Sequence, residues 1–176
     1  MPPVPAFHET PDETAVHAVA LDELESPIVK LAADYWCSLR NGRRFPARKD
    51  LHPRDIAGIL RDMALVKIIG NGADYEFRIL GDAQVQAYSV PLQGRRVSDI
   101  SVTAPWFNQI AMNTYEYVRR SGEPLAMRGR IGREFPEAKF VYHESVFLPL
   151  GANEKAVDHI LIFSTYVAPA IADGKK

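Results

Sequence analysis

Four consecutive apolar residues, Ile160-Leu161-Ile162-Phe163, lie inside the run Val157–Val167 near the end of the chain. In an extended backbone successive side chains point to opposite faces. An antiparallel strand that is apolar at every position must be covered on both sides. The chain is therefore limited to folds in which a sheet lies between two layers.

Four further runs supply partners for this strand. Met63–Ile69 is rich in Val, Ile and Leu, and Gly70-Asn71-Gly72-Ala73-Asp74 forms a turn cluster after it. In Tyr75–Leu80, Tyr75, Phe77 and Ile79 alternate with Glu76 and Arg78, so the two runs read as a β-hairpin. Leu125–Ile131 and Lys139–Leu150 complete the set. Ser26 can cap a helix and Pro27 suits its first position. Ile28, Leu31, Ala32, Tyr35, Trp36 and Leu39 then recur at helical spacing, and Asn41-Gly42 supplies a left-handed stop. A second long helix is predicted over Pro105–Arg120, with Phe107, Ile110, Ala111, Thr114 and Val118 facing inward and Gly122 just past its end. A short helix is expected at Pro53–Ile56, and short helical stretches and turns between Asp82 and Ile100. The expected architecture is α+β: a five-stranded antiparallel sheet with helices on one face and the early helix covering the other.

Residues 1–25 hold four of the thirteen prolines and no stable apolar period, and read as a tail with at most a weak helical turn around Ala15–Leu24. The domain is expected over 26–168, its early helix over 26–42, with a second tail at 169–176. The 176 residues are enough for one domain that is stable without metal or disulfide. The formal net charge of −1 lacks the basic excess of a nucleic-acid binder. Cys37 is the sole cysteine, which suits a reducing cytosol, and it reads as a small buried hydrophobe. The N-terminus does not read as a signal peptide, and the apolar run Ile160–Ala172 is too short to span a bilayer. A soluble cytoplasmic protein is expected.

Several local stretches carry a family likeness. They are Tyr35-Trp36-Cys37-Ser38-Leu39-Arg40-Asn41-Gly42-Arg43, Pro46-Ala47-Arg48-Lys49-Asp50-Leu51-His52-Pro53 and Asp74-Tyr75-Glu76-Phe77-Arg78-Ile79-Leu80-Gly81. Leu92-Gln93-Gly94-Arg95, Gly122-Glu123-Pro124-Leu125 and Phe147-Leu148-Pro149-Leu150 continue it. Over about residues 27–168 the chain resembles the small stand-alone PAS proteins of the PAS_5 type, common in alphaproteobacteria. The resemblance implies a sensory or adaptor role with no output domain on the same chain, and it carries no catalytic motif across.

Cofactor and metal signals point the other way. PAS domains that hold haem usually ligate it from a histidine on or beside the long helix, and Pro105–Arg120 has none. Flavin photochemistry in such domains needs a cysteine just before that helix, whereas Cys37 lies in the early one. Haem and flavin are disfavoured. The histidines at 8, 17, 52, 143 and 159 form no i, i+4 pair, so no metal site is expected, and His143 and His159 read as packed or surface residues. Gly70-Asn71-Gly72 precedes a strand and reads as a turn, not a phosphate loop. Ser145, His143 and Glu144 suggest a triad, but strand alternation places Glu144 on the opposite face. Arg78, between Phe77 and Ile79, reads first as a solvated or paired residue, with Glu144 as a candidate partner, and second as a ligand contact.

The leading expectation is a non-catalytic sensory module whose small-molecule ligand occupies a cleft between long helix and sheet. Candidate lining residues are Arg78, Tyr88, Trp106, Phe107, Ile110, Tyr115, Met127 and His143. A ligand-free adaptor is the alternative, with Ile28, Leu31, Tyr35, Trp36 and Leu39 as the surface for a protein partner or a second copy in a homodimer. A third reading is an isomerase-like cone-fold enzyme using Asp62 or Asp99 with Tyr88. Nucleic acid and membrane are not expected as partners.

Overall fold

A computed structural model describes residues 15–132 and 135–170. Its strands are β1 (His17–Val19), β2 (Met63–Ile69), β3 (Asp74–Leu80), β4 (Leu125–Arg130), β5 (Tyr142–Leu150) and β6 (His159–Val167). The helices are α1 (Pro27–Arg40), α2 (Asp82–Ala87) and α3 (Pro105–Ser121), and Pro53–Asp62 forms a kinked 3-10 segment. All neighbouring strands pair antiparallel, in the order β1-β4-β5-β6-β2-β3.

The sheet has six strands, not the expected five. The extra strand comes from the stretch read as a tail, where His17, Ala18 and Val19 pair with Arg128, Met127 and Ala126. Three residues are too few to reveal a period of two. The signal lies in Gly129, whose φ is +147° and whose added Cβ would stand 2.4 Å from the Ala15 carbonyl oxygen. Only glycine lets the preceding chain lie this close to β4. Of the two expected tails, residues 1–14 and 171–176 lie outside the described residues.

Strand β6 divides its side chains as its composition requires. Leu161 and Phe163 join Leu65, Val146 and Leu148 in the core beneath α1. Ile160 and Ile162 join Val66, Phe77 and Met127 in the core beneath α3. Each core is shut from water, so the sheet is sandwiched between helices.

Helix α1 is capped by Ser26, whose hydroxyl accepts from the Val29 N–H, and it stops at Asn41 in the left-handed conformation. Its buried face is Val29, Ala32, Ala33 and Trp36. The expected stripe is thus rotated: Leu31 is 51% exposed, while Ile28, Tyr35 and Leu39 are half-buried. Two adjacent alanines let the helix approach the sheet most closely on their side, which turns Leu31 outward. Trp36 is 1% exposed and donates from Nε1 to the Pro149 carbonyl at 2.8 Å. Cys37 is exposed, contrary to expectation, because it falls on the outer side of this rotated helix.

A buried carboxylate fixes where α1 begins. Glu144, 2% exposed, accepts from the Glu25 N–H at 2.9 Å and from the Ser26 N–H at 2.7 Å. Arg128 stands 3.8 Å from it and also bonds the Glu23 carbonyl at 2.7 Å and the Glu25 carboxylate at 3.0 Å. Negative charge here also suits the positive end of the helix dipole. Removing the carboxylate leaves the Glu25 and Ser26 backbone donors without their acceptor and takes from Arg128 one of its two anionic neighbours. Glu144→Ala is expected to destabilise the protein by about 3 kcal/mol in urea unfolding. A loss below about 0.5 kcal/mol, the range of ordinary surface substitutions, would show that α1 is anchored by its apolar face alone.

Candidate functional site

Helix α3 begins at Pro105 and ends at Gly122, which takes φ +64° and returns its N–H to the Val118 carbonyl. Its C-terminal half is tied to β3: the Tyr75 hydroxyl donates to Glu116 at 2.8 Å, and Arg119 grips the same carboxylate at 2.7 Å. The N-terminal half instead spans a cavity of about 110 Å3. Phe107, Ile110, Ala111, Thr114 and Tyr115 form its roof. The floor is the sheet, with Ala64, Phe77, Met127, His143, Ser145, Phe147, Ile162, Ser164 and Tyr166. Gln84, Tyr88 and Leu92 close one side, and Ile131, Phe135, Ala138 and Phe140 close another.

That second wall is fastened by backbone bonds. Lys139 donates to the Ala87 carbonyl at 2.8 Å and Ser89 to the Glu137 carbonyl at 2.8 Å. Aromatic rings fill the seam between the walls. Tyr88 meets Phe107 edge-on at 4.7 Å and Phe140 at 5.6 Å, and Phe140 lies 4.5 Å from Tyr166. Such tilted contacts suit the ring quadrupoles.

A string of polar groups crosses this apolar chamber. Strands β5 and β6 place His143 opposite Tyr166 and Ser145 opposite Ser164. His143 Nδ1 is 2.9 Å from Ser145 Oγ, which donates to Ser164 Oγ at 2.7 Å. The Tyr166 hydroxyl donates to Gln84 Oε1 at 2.7 Å, and the neighbouring Ser164 and Tyr88 hydroxyls offset part of the rise that burial gives its pKa. Gln84 Nε2 ends the string on the Asp62 carbonyl, also at 2.7 Å. Thr114 is 2% exposed and its hydroxyl has no hydrogen-bond partner among the described residues. No Lys, Arg, Asp or Glu lines the cavity.

Burial dominates the titration of these groups. It pushes the Tyr88 and Tyr115 hydroxyls up and raises Tyr166 to about 12. It lowers the His143 imidazole to about 4. The ring keeps some accessible surface because it borders the cavity, but protein surrounds it and disfavours its charged form.

Six of the eight expected lining residues meet here: Tyr88, Phe107, Ile110, Tyr115, Met127 and His143. Arg78 does not. It points away from the cavity and pairs with Glu76 at 2.5 Å, not with Glu144, which lies on the α1 side with Arg128. Trp106 also stands outside, 48% exposed against Phe135. The polar lining residues absent from that set are Gln84, Thr114, Ser145, Ser164 and Tyr166. Small polar side chains two apart on facing strands were the available signal. Glu144 is on the face away from His143 and Ser145, so this pair has no acid to orient it. Asp62 is buried, which raises its carboxyl pKa, and Asp99 is exposed and accepts from the Arg96 N–H; neither lines the cavity. Among the described residues no cluster of three or more ligating side chains could hold a metal, and no helix is long and apolar enough to cross a membrane.

The lowered imidazole has a consequence for acid stability. The unfolded chain takes up this proton near pH 6.5, the native state only near 4. Stability present above pH 6.5 is therefore lost as pH falls through that window, by about 3 kcal/mol from this group. His143→Gln is expected to flatten the difference in unfolding free energy between pH 6.5 and 4 by about that amount. Identical slopes for the two proteins would place the imidazole in contact with bulk water.

The comparisons with known proteins fit this geometry. A family model described as a PAS domain matches residues 24–163. No curated protein and no solved structure matches the chain. The matched stretch runs from just before α1 into β6 and so takes in both covering helices and the cavity between α3 and the sheet. The chain belongs to the PAS_5 family of PAS domains.

Proposed function

We propose that this PAS domain is a non-catalytic sensory module that binds a small ligand in the cavity beneath α3 and reports its presence through α1. One observation carries the reading: an apolar, uncharged chamber crossed by an ordered polar string and holding an unpaired buried hydroxyl. Ligand sites are typically apolar with a few placed polar groups. Core alone has no use for an unpaired Thr114 hydroxyl, which costs free energy until something bonds it.

The route to α1 follows from strand alternation. His143 and Ser145 face the cavity, and Glu144 between them caps the start of α1 on the other face. A ligand that moves this part of β5 changes the bonds that hold Glu25 and Ser26. The outer side of α1, with Leu31 exposed and Ile28, Tyr35 and Leu39 half-buried, is then the surface a protein partner or a second copy reads. Trp36 does not belong to that surface, since it is consumed by the sheet.

Native mass spectrometry of the purified protein, followed by thermal shift across a metabolite panel, tests the reading. A true ligand at a hundred times its Kd is expected to stabilise the fold by about 2.7 kcal/mol. It is also expected to change hydrogen exchange at the first turn of α1. Ala111→Leu, which fills the chamber from its roof, is expected to abolish both effects while the protein stays folded. No bound compound and no stabilisation by any compound would overturn the proposal.

A further inference from the structure

The hydrogen bonds of the polar string can be assigned a direction, because one end of it is a backbone carbonyl. The Asp62 carbonyl can only accept, so the Gln84 amide must present its NH2 there and its oxygen to Tyr166. The Tyr166 proton is thereby committed to Gln84, so Tyr166 has none to offer the neighbouring Ser164 hydroxyl. Ser164 Oγ accepts from Ser145 Oγ at 2.7 Å. The Ser145 proton is spent in turn, so Ser145 accepts from His143, which must carry its hydrogen on Nδ1. His143 Nε2 is left as a bare lone pair in the cavity wall, with no hydrogen-bond partner among the described residues.

Resting on the ligand-binding reading above, we infer that the ligand is a neutral molecule of about one aromatic ring, carrying a hydrogen-bond donor that His143 Nε2 accepts. Size follows from the volume. A cavity of about 150 Å3 lined by apolar side chains holds benzene, so 110 Å3 takes one such ring at most without movement of its walls. Neutrality follows from the lining, which offers no counter-charge to a carboxylate or an ammonium. The donor follows from the direction of the string, since a ligand with acceptors alone would meet a lone pair. A porphyrin is far larger than this chamber, although the bare imidazole nitrogen is of the kind that binds haem iron.

Phenol and toluene are the probes, because they match in size and differ in the donor. In a purely apolar hole toluene would bind better, since phenol gives up bonds to water on entry. Isothermal titration at pH 7 is expected to show phenol binding at least as tightly as toluene, and benzoate not at all. In His143→Leu the ratio of the two affinities is expected to move about tenfold in favour of toluene. A second readout needs no variant: nitrogen NMR of histidine-labelled protein is expected to find His143 protonated on Nδ1 and bare on Nε2. Toluene binding tighter than phenol, an unmoved ratio, or an Nε2–H tautomer would each sink the inference about ligand class and leave ligand binding intact. Tighter binding of benzoate than of phenol would do the same. Failure of phenol and toluene alike, with no other compound stabilising the fold, would remove the ligand-binding reading as well.

Discussion

The Glu144 carboxylate is the constraint on which the two halves of this structure depend. It is buried on the α1 side of the sheet, and it is satisfied by the two backbone donors that precede the helix and by Arg128. Removing a carboxylate from water is unfavourable unless such partners are in place. The start of α1 is therefore tied to one point on β5. Trp36 ties the next two turns to the end of the same strand through the Pro149 carbonyl. Strand β5 thus carries the helix on one face while its neighbouring residues, His143 and Ser145, build the chamber on the other.

The chamber exists because α3 is held unevenly. Tyr75, Glu116 and Arg119 clamp its C-terminal half to β3, where Val118 and Tyr117 pack into a closed core. Its N-terminal half is supported by rings, and Tyr88, Phe107 and Phe140 prop the walls apart instead of filling the space. The polar side chains on the chamber floor are tolerated because each has a hydrogen-bonded neighbour, and Gln84 ends on a backbone carbonyl. Thr114 is the exception, and it faces the same space.

Much of this was legible in the residues. The doubly apolar Ile160–Phe163 required a sheet covered on both faces, and that is where Leu161 and Phe163 part from Ile160 and Ile162. The aromatic and apolar part of the cavity could be read because its residues sit at inward positions of recognisable elements. What escaped notice has physical reasons. Strand β1 is too short to have a pattern, and its cue was a glycine in another strand. The rotation of α1 depends on two alanines, which weigh little in an apolar stripe but decide how closely a helix can approach. The serines, Tyr166 and Gln84 became a site only through cross-strand register, which no single segment contains. Arg78 and Trp106 were drawn in by residue type, and their exposure is set by which side of the element faces out.

The ends of the sheet bear on how copies of this protein can meet. Beyond β3, the segment Gly94–Val97 pairs with Tyr75 and Phe77 through three backbone hydrogen bonds, among them Val97 N–H to the Tyr75 carbonyl at 2.8 Å. Beyond β4 lies β1, only three residues long. Both margins that could template a stranger's strand are thus occupied or too brief to guide one. Joining two molecules by extending the sheet, the common route to fibrous aggregates, is disfavoured by construction.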